Sequence, residues 1–295
     1  MNPEPGETGT APPRSVPPAS SETGAAPPVS PLETGGNDTT PPPPSAPESG
    51  ETASPSPPAP PGREPFWDYS DVFLFVGLAI PSMFLGWALV QGFLRLFRIH
   101  PAVHAAELVS EQVLGYLVLF LALQLLFRVE YGRPFWRSLG WVPLHAPFMW
   151  LVIAGFATAV GVAFATYVVR VPSTSNPMTE LLGDRASILL LAIFGITVGP
   201  LCEELVFRGF LQPLLVRSFG PVAGILGAAI PFGLLHIPEY GNSWRHGVVI
   251  GLAGAAFGWV RHVTGSTKAS TVMHASYNAL FFLVLIAQGR YLPHT

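Results

Sequence analysis

The sequence predicts an all-α, polytopic membrane bundle of about seven to eight spans behind a disordered, proline-rich N-terminal tail. Three observations carry this. Only 11% of the 295 residues are charged and 49% are hydrophobic, against about 25% charged in a typical soluble domain. Mean hydropathy is +0.43, although the first 65 residues contain almost no large apolar side chains. The remaining chain is long enough for about seven helices of about 20 residues each with loops between them.

Residues 1–65 are rich in Pro, Ser, Thr, Gly and Glu, including the run Pro41–Pro44 and a second run from Pro55. Such a stretch cannot bury enough apolar surface to offset its ordering entropy, so disorder with polyproline-II character is expected. A proline-recognising partner is one occupant its PxxP-like stretches would suit. The amino terminus has neither a basic n-region nor an apolar h-region. Insertion is therefore expected to rely on the internal segments.

Seven apolar segments follow: Val72–Phe97, Leu108–Phe127, Phe148–Val169, Ile188–Val198, Val222–Leu235, Gly247–Val260 and Val272–Ile286. The first three are long enough to cross about 30 Å of hydrocarbon and read as scaffold. The later ones are short or interrupted by Gly, Pro and charge. Such segments persist in a membrane only where neighbours or an internal aqueous cavity satisfy their polar groups. The expected division is 1–65 tail, 66–175 N-terminal spans and 176–295 working core. With seven spans and a cytoplasmic tail, Arg63, Arg128, Arg133, Arg137, Arg208, Arg217, Arg261 and Lys268 fall on the cytoplasmic side. Arg95, Arg98, Arg170, Arg185, Arg245 and Arg290 fall on the other. This slight excess favours a cytoplasmic N terminus and a plasma (inner) membrane location. The residues Phe135, Trp136 and Trp141 with Arg133 and Arg137 read as an interfacial anchor.

The near-neutral net charge of -3 argues against a nucleic-acid partner. A lone cysteine, Cys202, excludes an internal disulfide and a multi-cysteine metal site. Cys202 lies beside two acids, which disfavour a thiolate, so it reads as a small buried apolar residue. Gly251, Gly254 and Gly258 have the spacing of close helix packing. His246 and His262 read as solvated residues of loops or helix ends, with His246 also placed to line a cavity mouth.

The charges within the apolar half carry the functional reading. In Gly199–Leu215, Glu203, Glu204 and Arg208 sit among Leu, Val and Phe, where each ionised group costs about 2.5–3.5 kcal/mol at mid-bilayer. Glu204 and Arg208 are four apart, in the favourable acid-first order for an ion pair. Glu203 lies about 100° round the helix and is left for chemistry. Phe232 to His236 ends one later apolar segment, and His274 to Asn278 lies inside another. His274 and Asn278, at i and i+4, point the same way. An acid, two imidazoles and an amide suit water activation with oxyanion donors. They equally suit a mononuclear metal with an open position.

Taken in order, Glu203-Glu204-x-x-x-Arg208, Phe232-x-x-x-His236 and His274-x-x-x-Asn278 resemble the three motifs of the CPBP family of intramembrane proteases. That family includes CAAX prenyl endopeptidases and bacteriocin-processing or immunity proteins. The resemblance spans about Ile188–Ile286. It implies that Glu203 activates water with help from His236, that His274 and Asn278 stabilise the oxyanion, and that Glu204 and Arg208, with Phe232, hold the site together. The implied substrate is a peptide or lipidated protein in the bilayer. The implied mechanism is either metal-free or uses a single divalent ion such as zinc, for which Glu203, His236 and His274 are the candidate ligands. A non-catalytic immunity or scaffold protein and a proton-coupled transporter are the alternative functions.

Overall fold

The computed structural model describes residues 64–172 and 184–287. The proline-rich tail, Arg63, Arg290 and the expected boundary near residue 175 lie outside the described residues. Within them the secondary structure is helical throughout. The helices are α1 (Tyr69–Phe97), α2 (His104–Val129), α3 (Phe135–Ser138), α4 (Phe148–Val169), α5 (Arg185–Ile196) and α6 (Val198–Glu204). A π-helix (Leu205–Leu211) leads into α7 (Gln212–Phe219). Then come α8 (Pro221–Leu235), a 3₁₀ turn (Pro238–Tyr240), α9 (Trp244–Thr264) and α10 (Thr267–Ala287).

Six of the described helices are long and apolar enough to span a bilayer, and α8 is a shorter apolar helix of 15 residues. The protein is an integral membrane protein. Large apolar side chains such as Phe73, Ile80, Phe84, Phe164 and Tyr167 are exposed on the bundle, which only a lipid environment accommodates at this density. The segmentation read at Ile188–Val198 needs correction. The helical path runs 35 residues from Arg185 to Phe219, long and apolar enough to cross a membrane, with an irregular turn at Thr197. Glu203, Glu204 and Arg208 do not interrupt it, because most of their charge is compensated inside the bundle. Arg208 is correspondingly no loop charge: its side chain is fully buried, so it drops out of the positive-inside count.

Backbone contacts define the two ends of the bundle. At one end Thr267 N donates to Gly140 O at 2.9 Å, and Arg217 donates to the carbonyls of Pro65 and Trp67. At the other, Ala105 N donates to Ser187 Oγ at 3.1 Å and Arg245 Nη1 to Arg170 O at 2.8 Å. α1 is started by a capping box in which Asp68 and Asp71 bond reciprocally to backbone amides.

Glycine sets the helix crossings. A Cβ on Gly86 of α1 would lie 2.5 Å from Glu111 O of α2, and one on Gly155 of α4 would lie 2.3 Å from Met273 O of α10. One on Gly233 of α8 would lie 2.3 Å from Gly247 O of α9. These approaches replace a hydrophobic drive that lipid does not supply between helices. The main buried cluster gathers Trp67, Phe127, Phe210, Leu139 and Leu214. Trp67 stacks between Phe127 and Phe210 at 5.3 and 5.5 Å and donates Nε1–H to Phe210 O at 3.0 Å.

Gly233→Ala is expected to part α8 from α9 and destabilise the protein by about 1–3 kcal/mol, read as a lower melting temperature in detergent. Gly77→Ala, where a Cβ meets nothing within 4 Å, leaves that temperature unchanged.

Candidate active site

The site is assembled from α5–α7, α8, α9 and α10. α6 begins at Thr197, whose φ of -118° and ψ of -80° break the regular helix just before Pro200. This is where a proline, lacking N–H, fits the first turn. One turn later come Glu203 and Glu204, and from Leu205 the helix widens to π geometry, with Gln212 N bonding five residues back to Phe207 O. Such wide turns occur most often at functional sites. Sequence periodicity does not reveal this one.

Glu204 has no exposed side-chain surface. Its Oε1 accepts from Arg208 Nη1 at 2.9 Å and from His274 Nδ1 at 3.0 Å. Ser270, one turn before His274, also interacts with this carboxylate. Arg208 donates Nη2–H to Gly254 O at 2.8 Å, and its guanidinium lies 4.4 Å from the ring centre of Phe232 and 5.5 Å from that of Phe257. Four residues on, Gln212 repeats the contact, donating Nε2–H to Gly258 O at 2.8 Å. Both acceptors are glycines for a steric reason. A Cβ at Gly254 would sit 2.8 Å from Phe232 Cδ1, and one at Gly258 2.7 Å from Gln212 Oε1. The small-residue spacing read as helix packing thus also opens two carbonyls to buried side chains. Phe232 is the platform on which Arg208 rests.

Glu203 is different. Its side chain keeps 26% exposure and its Oε2 faces His274 Nε2 at 3.8 Å. Because Glu204 is acceptor-only when ionised, His274 Nδ1 carries the proton of their bond, and Nε2 is the nitrogen presented to Glu203. The imidazole is held flat against Phe257, 4.5 Å between centres and 19° between planes. His274 therefore joins two acids that helix geometry alone sets on different faces.

His236 caps the C-terminal end of α8. Its Nδ1 lies 2.7 Å from Phe232 O; the carbonyl accepts, so Nδ1–H donates and Nε2 is left open. Asn278 does not point freely with His274: its Nδ2 donates to Gly195 O of α5 at 2.6 Å, leaving the second amide hydrogen and Oδ1. Cys202 is buried. Of the two positions read for His246, loop or helix end, the structure gives the helix end. It lies in the first turn of α9, stacks on Tyr240 at 4.7 Å and has a buried Nδ1 without a bonded partner. His262 is an exposed residue of the last turn of α9.

Sequence reasoning missed Glu239 and Tyr240. Both belong to the 3₁₀ turn beyond His236, and Glu203 acts electrostatically on each. Burial pushes the Glu239 carboxyl above the usual carboxylate range, Glu203 adds to the push, and His236 opposes it. The available signal was the three-residue spacing from His236 to Glu239, which places both on one helical face. Among the described residues no three His, Cys, Asp or Glu side chains are grouped so as to hold a metal ion. Glu203, His236 and His274 do not form a preassembled ligand set.

Residues 185–280 match a family model, Rce1-like: type II CAAX prenyl endopeptidase Rce1-like. The matched stretch is about a third of the chain and contains Glu203, Glu204, Arg208, Phe232, His236, His274 and Asn278. It bears out the resemblance drawn from the three motifs. No curated protein and no solved structure matches the chain.

Glu204→Gln removes one partner of a buried pair and leaves the Arg208 charge uncompensated. A loss of about 3–5 kcal/mol is expected, measured by denaturant unfolding in detergent. Gln212→Leu, which removes a neutral donor, costs less.

Proposed function

We propose that the protein is an intramembrane endopeptidase that hydrolyses peptide bonds of membrane-associated substrates, of the prenylated CAAX class, with water activated by Glu203 and His236. The observation that carries this reading is the unequal use of the two acids. Glu204 is consumed by Arg208 and His274, whereas Glu203 is partly exposed and has no direct hydrogen bond at its 3.8 Å approach to His274. A buried pair beside an acid left open is what a general base in lipid requires.

In the proposed reaction Glu203 takes a proton from water as the water oxygen bonds to the scissile carbonyl carbon. The carbonyl π electrons move onto oxygen. The second amide hydrogen of Asn278 is the donor for that oxyanion, and His274 flanks it with its Nε2 edge. Collapse of the tetrahedral intermediate breaks the C–N bond, and the proton held by Glu203 passes to the departing amine. His236, with Nδ1 tied to Phe232 O, offers Nε2 to orient the water. Glu239 sits where it bears on the charge of both His236 and Glu203. We place the N terminus on the cytoplasmic side of the plasma membrane. The supporting count among described residues is Arg128, Arg133, Arg137, Arg217, Arg261 and Lys268 at that end of the bundle, against Arg95, Arg98, Arg170, Arg185 and Arg245 at the other.

The test is cleavage of a farnesylated, internally quenched peptide by purified protein in liposomes. Glu203→Gln is expected to lower kcat/KM by about 10²–10⁴-fold with an unchanged melting temperature, and His236→Ala to lower it comparably. Cleavage that survives both substitutions overturns the peptidase reading. A chelator arm separates the metal-free mechanism from one that recruits zinc. Proton flux that depends on a pH gradient and is lost in Glu203→Gln, without cleavage, identifies a transporter instead.

A further inference from the structure

The end of the bundle where α1 begins carries a second concave site, away from Glu203. A cleft of about 660 Å³ is lined by Arg133, Arg137 and Arg261 together with Glu64. A second cleft of about 370 Å³ shares Glu64, Ser138 and Arg261 and adds Arg217 and His262. Four arginines thus line the two clefts, and among the described residues Glu64 is the one carboxylate lining them. Ordinary interfacial arginines reach out to water or pair with acids. Here Arg133 and Arg137 of the α2–α4 connection and Arg261 of α9 line one cleft.

Their existing partners leave most of their donors open. Arg217 is committed to the backbone carbonyls of Pro65 and Trp67. Arg261 uses Nε on Thr267 Oγ1 at 2.9 Å, and among the described residues no hydrogen bond engages its two terminal nitrogens. That guanidinium lies directly over Gly140, where a Cβ would come within 2.4 Å of Nη2. Gly140 has φ of +74°, so both its conformation and its bareness suit the arginine's approach. Arg133 rests over Phe66 with 5.6 Å from its guanidinium carbon to the ring centre, and Arg137 is exposed. Trp136 and Trp141, 5.7 Å apart, mark the headgroup level beside the cleft.

We infer that this cleft binds the phosphate of an anionic lipid headgroup from the leaflet facing the N-terminal end of α1. Forked N–H donors on the α2–α4 connection and on α9 match tetrahedral phosphate oxygens. Basic pockets between spans at the membrane surface are the recurrent form of such sites. The bound lipid would tie the α2–α4 connection, through Arg133 and Arg137, to the α9–α10 junction, through Arg261. This inference is independent of the peptidase reading.

The test is native mass spectrometry of the full chain from mixed micelles of phosphatidylcholine and phosphatidylglycerol, with a parallel melting curve in inorganic phosphate alone. Wild-type protein should retain phosphatidylglycerol about tenfold over phosphatidylcholine. Arg133→Gln/Arg137→Gln should lose most of that preference with an unchanged melting temperature, since both side chains are exposed. Arg95→Gln, at the opposite end, should keep it. Equal retention of the two lipids, or a preference that persists in the double variant, overturns the inference. Stabilisation by inorganic phosphate without phosphatidylglycerol retention identifies a soluble-anion site and also overturns the lipid assignment.

Discussion

A fully buried ion pair inside a membrane span is the constraint that organises the working half of the molecule. Glu204 and Arg208 are both at zero exposure, and neither is tolerable there alone. Satisfying them recruits three other helices: α10 through His274, α9 through the Gly254 carbonyl, and α8 through Phe232 beneath the guanidinium. The same demand explains why α9 needs glycine at 254 and 258. A methyl group at either position would collide with the side chains that reach for the backbone. Once the pair is held, His274 has one orientation, and the proposed base Glu203 faces its second nitrogen. The chemistry of the site is a by-product of how the charges are neutralised.

Much of this was legible from residue types. Phe148–Val169 is α4 to the residue, because Pro147 and Arg170 mark its two ends, and the acid-first spacing of Glu204 and Arg208 anticipates their bond. What escaped was whatever depends on three-dimensional company. Composition marks only Ile188–Val198 of the helical path Arg185–Phe219, because the charges beyond it are offset by helices distant in sequence. The amide of Asn278 shares a face with His274 in a helical projection, yet Gly195 of another span claims one of its hydrogens. Glu239 sits in a turn whose proximity to Glu203 no periodicity encodes.

The N-terminal helices are more than a lipid-facing sleeve. Trp67, ahead of α1, donates to the Phe210 carbonyl two residues beyond Arg208, and Tyr116 of α2 lies within electrostatic reach of Glu203. Neither residue lies in the stretch that matches the family model, residues 185–280. The basic cleft draws on both sides of that boundary, with Arg133 and Arg137 outside the stretch and Arg261 inside it.

The π-helix has a consequence for how the span can change over time. A wide turn amounts to one extra residue in an otherwise α-helical path, and each residue is worth about 100° of rotation. The segment therefore acts as a phase joint: Glu203 and Glu204 belong to one angular register, Gln212 and Leu214 to another. Loss of a single residue between Leu205 and Leu211 would close the wide turn into a regular α-helix and keep both registers, Gln212 toward Gly258 and the acids toward His274. Gain of a further residue finds no such slack and would rotate one side of the joint by about 100° away from its partners. Along this span a deletion is therefore milder than an insertion.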